Sequence, residues 1–107
     1  MSDIEHTLVV LTGDVTVSSI FAAHAEMAGA LRQHAPVIVD ISDVSEVDLT
    51  FIQLLEAARR AAAEKGQDLT LRHPADGAVL EILRRGGFLD DDASDRSMFW
   101  LQGEVGQ

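Results

Sequence analysis

Eight basic against eighteen acidic side chains in 107 residues give a formal charge of −10, which opposes both the phosphate backbone of nucleic acids and anionic membrane surfaces. That charge excludes electrostatically driven nucleic-acid binding and suits a basic protein surface as partner, although a solvated acidic surface that keeps a small protein soluble explains it equally. A hydrophobic fraction of 47% with only 5% aromatic residues calls for one aliphatic core in a single domain, 1–107, and the lack of cysteine rules out disulfides and thiolate metal sites and suits a reducing cytoplasm.

The N-terminal stretch MSDIEHTLVV has acids where a signal peptide needs bases, and its apolar run is too short to span a bilayer. The expectation is a soluble, unprocessed cytoplasmic protein without direct membrane insertion. Residues 7–12, TLVVLT, form a short branched apolar run closed by Gly13-Asp14, which predicts a buried first strand ending in a turn. A helix is predicted over 18–34: Ser18 or Ser19 can cap it, Ile20, Ala23, Met27, Ala30 and Leu31 recur at helical spacing, and Pro36 stops it. Val37 to Ile41 reads as an interior strand apolar on both faces, and the polar stretch 42–48 as a loop at its carboxyl end, where open α/β sheets place binding sites.

Next comes a helix over 50–65, with Phe51, Leu54, Leu55, Ala58 and Ala62 on one stripe and Gly66 closing it. Residues 68–72 predict a third strand. A third helix over 76–85 carries Val79, Leu80, Ile82 and Leu83 and ends at Gly86-Gly87. Residues 90–97 read as an acidic loop, and the apolar run 98–101 as an edge strand. Strands alternating with helices in this way predict an α/β layer structure with a mixed, mostly parallel sheet of 4–5 strands and about 3–4 helices.

The stretch from Val37 to Phe88 resembles the signature of the STAS family, the sulfate transporter and anti-sigma factor antagonist domains. An apolar strand ends in Asp40, a short loop leads to Asp48 and a hydroxyl residue, and a helix begins at once. Gly66 before a strand, His73-Pro74 after it and ILRRGGF at the closing helix follow in the family's order, while LTGDVTVSSI resembles its first-strand turn. The resemblance implies the family's fold and a partner-switching role: a histidine-kinase-like ATPase or anti-sigma factor binds near the Asp-Ser-Ser/Thr-Gly motif, and phosphorylation of a hydroxyl there ends the complex. A phosphate adds about −1.5 to −2 charges at pH 7, enough to dismantle an interface by repulsion and desolvation.

In this chain the motif reads Val47-Asp48-Leu49-Thr50-Phe51. Leu49 stands at the usual acceptor position and has no hydroxyl, so Thr50 is the phosphoacceptor candidate. Asp43, Ser45, Asp48, Leu49, Thr50 and Phe51 are the candidate partner-binding residues. Each also has a purely structural reading. Thr50 with Gln53 has capping-box spacing, Asp48 can serve the helix dipole, Phe51 fits a core as well as an interface, and Asp40, Asp43, Glu46 and Asp48 lack calcium-loop spacing.

The four histidines, His6, His24, His34 and His73, lack ligand spacing, and no phosphate loop or nucleophile elbow is present. The expectation is a binding protein without catalysis, metal or cofactor, monomeric or weakly homodimeric. Variants reading DLTF resemble stand-alone STAS proteins of signalling and chemotaxis-type gene clusters. An alternative within the family is an accessory subunit that grips the ATPase of an ABC-type phospholipid transporter, with the same residues as a fixed docking face.

Overall fold

The computed structural model describes residues 6–89 and 95–102. Three strands, β1 (Thr7–Val15), β2 (Val37–Val47) and β3 (Leu69–Leu71), alternate with α1 (Ile20–Leu31) and α2 (Leu49–Glu64), and α3 (Gly77–Arg85) and α4 (Asp95–Leu101) follow. The strands form one parallel sheet in the order β1-β2-β3. Three strands are thus present among the described residues, where the sequence reading expected four or five.

Two right-handed crossovers that step the same way across a sheet put both helices on one face. The burial pattern agrees. Val9, Leu11, Val37, Val39, Leu69 and Leu71 are buried beneath the helices, whereas Leu8, Val10 and Thr70 on the opposite face are exposed. The helical stripes read from the sequence supply the other half of the core: Ala23, Met27 and Ala30 from α1, Phe51, Leu55, Ala58 and Ala62 from α2, and Val79 and Leu83 from α3.

Both long helix stops are built as their glycines require. Gly66 (φ 70°) donates to Ala63 O while Gln67 donates to Ala62 O, and Gly87 (φ 76°) donates to Arg84 O while Phe88 donates to Leu83 O. These paired bonds satisfy the last helical carbonyls through a left-handed residue that glycine adopts without steric cost.

Three local expectations are corrected. Residues 42–47 are strand, not loop. They pair with β1 through Thr12↔Asp43, Gly13↔Val44, Asp14↔Glu46 and Val15↔Val47, with irregularities in register on the way, and β1 likewise runs on through Gly13 to Val15. Its two apolar residues, Val44 and Val47, are three apart and not two, and the irregular register against β1 takes up the extra residues, leaving Ser42, Asp43, Ser45 and Glu46 exposed.

Residues 98–101 are helix, not an edge strand. A four-residue apolar run has no period that separates the two, and here tertiary packing decides: α4 buries Phe99, Trp100 and Leu101. The acidic loop expected over 90–97 lies outside the described residues at 90–94, and its last residues belong to α4. No helix among the described residues is long and apolar enough to cross a membrane.

Candidate docking face

In a parallel sheet the carboxyl ends of adjacent strands lie together, and the next helices start there. Here the end of β1, the turn 16–19, the end of β2 and the first turns of α1 and α2 share one end of the molecule. The turn is tied to its strand by Ser19. Its hydroxyl donates to Asp14 O at 2.9 Å and accepts from Thr16 N at 3.1 Å. Ser19 therefore stands at the N-cap of α1 without capping it.

Asp48 joins the two halves of this surface. Its extended backbone (φ −133°, ψ −171°) makes it the N-cap of α2. Oδ1 accepts from Thr50 N at 3.0 Å and from the Thr50 hydroxyl, while Oδ2 reaches across to accept from Val17 N at 2.9 Å. The cap expected at Thr50 is thus corrected: Thr50 lies inside the first turn because Asp48, two residues earlier, already satisfies its amide. The Thr50 hydroxyl, together with the Val17, Thr50 and Phe51 amides, holds the Asp48 carboxyl below its usual range, against a smaller opposing effect of burial.

One consequence is measurable. Asp48→Ala should lower the melting temperature at pH 7 by removing the cap and the link to the turn. A carboxylate whose pKa is lowered by folding stabilises above its unfolded value, about 3.9, and that stabilisation is lost as pH falls through the lower folded value. Calorimetry should therefore show the gap between wild type and Asp48→Ala shrinking on acidification below pH ~4. A gap that does not change with pH would mean the carboxylate's charge is not what ties the turn to α2.

The candidate residues do not all fall together. Ser45 meets the end of β1, its hydroxyl donating to Asp14 Oδ1 at 3.0 Å. Leu49 is 48% exposed and Thr50 half-buried beside Asp48. Asp43 is exposed but stands five residues up the strand from Asp48, roughly 16 Å away at 3.3 Å per residue. Phe51 is a correction: its ring is fully buried in the core, because helical rotation turns it inward from Leu49, and it offers a partner nothing to touch.

Residues outside the motif complete the surface. Val17 (69% exposed) lies against Asp48 through its amide, and Phe21 (86% exposed) follows one turn later on α1. Phe21 was legible in part, since it lies off the stripe Ile20, Ala23, Met27; Val17, ahead of the helix, was not. Among the described residues no three histidine, aspartate or glutamate side chains converge as a metal site requires.

A family model described as Mlab, STAS domain matches residues 2–91. The chain belongs to the STAS domain family. No curated protein matches it. As a STAS domain it is of a regulatory, protein-interaction class, and its parallel α/β sheet agrees with that fold.

Proposed function

We propose that this STAS domain is a partner-switching module of the anti-sigma factor antagonist type, docking a histidine-kinase-like ATPase or related signalling protein through the end formed by 14–21 and 45–50. The observation that supports it is the pairing of three exposed apolar side chains, Val17, Phe21 and Leu49, with a pre-ordered polar centre, Asp48 and Thr50. Interfaces gain most from apolar anchors beside satisfied polar groups, because neither has to be reorganised on binding. The exposed acids Asp14 and Glu46 add a negative rim that steers a basic partner; Asp43, expected to bind the partner, stands outside this end.

Thr50 is the switch in this reading. Its hydroxyl is half-buried, and a phosphate there would sit directly against the Asp48 carboxylate and beside Leu49, so repulsion and desolvation act together. Co-purification from the native cells, with mass spectrometry of partners and of Thr50, is the direct test. Thr50→Asp should release the partner more completely than Thr50→Ala. Equal loss in both would reduce Thr50 to a structural hydroxyl and end the switch reading.

A second reading is an accessory subunit that docks permanently on the ATPase of an ABC-type phospholipid transporter. Two observations favour it: Leu49 occupies the usual acceptor position, and the Thr50 hydroxyl is already engaged by Asp48. Recovery of a transporter ATPase with unmodified Thr50 would establish it over the first.

A further inference from the structure

The outer edge of β1 is open: β1 is the first strand of the sheet, and among the described residues no strand pairs with its far side. Thr7 N donates to Pro36 O at 2.8 Å. Main-chain groups of alternate residues in a strand point the same way, so Thr7 and Val9 aim theirs at β2, and Leu8 and Val10 aim theirs outward. Proteins commonly guard such edges with lysine or proline, because an unguarded edge is a template for another strand. The run TLVVLT at 7–12 has neither, and it has no charge. Leu8 and Val10 are also exposed apolar side chains, on the sheet face away from α1 and α2.

We infer that two copies of this chain pair antiparallel through their β1 edges, about a twofold axis at Val10, to make one continuous six-stranded sheet. An axis there puts Val10 opposite Val10 of the second copy and Leu8 opposite Thr12 of the second copy. Every residue then meets one on its own face of the sheet, and Val10, whose main-chain groups point outward, forms the hydrogen-bonded pair at the centre. Such a twofold contact is self-complementary and closes at two subunits.

The strip itself selects a second copy: it is self-complementary about Val10, and it carries no charge that would recruit an unlike partner. Two chains of −10 repel one another over most of their surfaces, and this strip is one they can bring together without added repulsion. The groove between β1 and α1 beside it is lined by one acid and one base, Glu26 and Arg32, so a twofold pairing brings both signs to the seam. A basic partner of the kind suited to the docking face would find no excess of acid here.

Sedimentation equilibrium over a dilution series tests this on the full chain. The wild type is expected to show the mass of two 11.6 kDa chains. Val10→Lys should be monomeric at every concentration, with its circular dichroism unchanged. Val10→Pro should act likewise, since the amide it removes points away from β2. A wild type that stays monomeric throughout, or a dimer that survives in a folded Val10→Lys or Val10→Pro chain, overturns the inference. Phe21→Ala should leave the dimer intact. A dimer lost in Phe21→Ala but kept in Val10→Lys would place self-association on the docking face and overturn the edge pairing. The pairing centres on Val10 and the docking face on Asp48, and each is read by its own variant, Val10→Lys or Phe21→Ala, so the failure of one is distinguishable from the failure of the other.

Discussion

Trp100→Ala is expected to destabilise the domain by about 3–5 kcal/mol, the range for deleting a fully buried large aromatic side chain. Trp100 is completely buried and stacks edge-on against Phe99 with ring centroids 5.1 Å apart. Its indole N–H donates to Glu56 Oε2 at 2.8 Å. Glu56 is a buried charged residue of α2 that also pairs with Arg59 at 2.6 Å and with Arg96 at 3.4 Å. Burial pushes its carboxyl upward, but the Trp100 N–H and the Arg59 and Arg96 guanidiniums outweigh this and hold it below its usual range. The variant therefore leaves a cavity and takes a donor from a buried carboxylate, two penalties that add.

Chemical denaturation should show the midpoint falling without loss of two-state behaviour. A loss under about 1 kcal/mol would mean that Trp100 is not seated in the core against Glu56 as described. Glu56→Gln provides a second readout. It keeps an acceptor for the indole but drops the charge shared by two partly exposed arginines, and should cost about 1–2 kcal/mol after allowing for their solvent screening. Because folding lowers the Glu56 pKa, the contribution of its charge is complete above about 4.3. It is lost as pH falls through the folded value, so the two proteins should converge in acid.

The same residues show where the sequence was informative. The stripes of α1, α2 and α3 were legible because each packs a single face on the sheet, so burial and helical period coincide at Met27, Leu55 and Leu83. The glycines at 66 and 87 were legible because the backbone conformation they adopt suits little else.

Long-range partnership was not legible. Nothing local at 42–47 says that this mostly polar stretch pairs with the far end of β1, and nothing local at 98–101 says that an indole will find a carboxylate forty-four positions earlier. The docking face was half legible for the same reason. The motif at 48–50 was visible as a resemblance, whereas the contribution of Val17 rests on a hydrogen bond across thirty-one residues. Phe51 marks the other limit: the last residue of the motif, it is carried into the core by one step of helix.

Phe21→Ala is expected to separate binding from folding more sharply than any change within the motif. The ring is 86% exposed, so its removal opens no cavity and should alter stability by no more than about 0.5 kcal/mol. If Phe21 seats in a pocket of the partner, as an exposed aromatic anchor does, truncation should cost at least ~2 kcal/mol of binding, or roughly thirtyfold in Kd. Leu49→Ala removes a smaller apolar group beside Asp48 and should cost less, while Thr50 stays hydrogen-bonded in both variants. Titration calorimetry with the co-purified partner checks both. Unchanged affinity in Phe21→Ala would leave the polar centre without its anchor and move the interface off α1. A thirtyfold loss at constant melting temperature would make the start of α1, and not the phosphoacceptor motif alone, the part of this STAS domain that holds its partner.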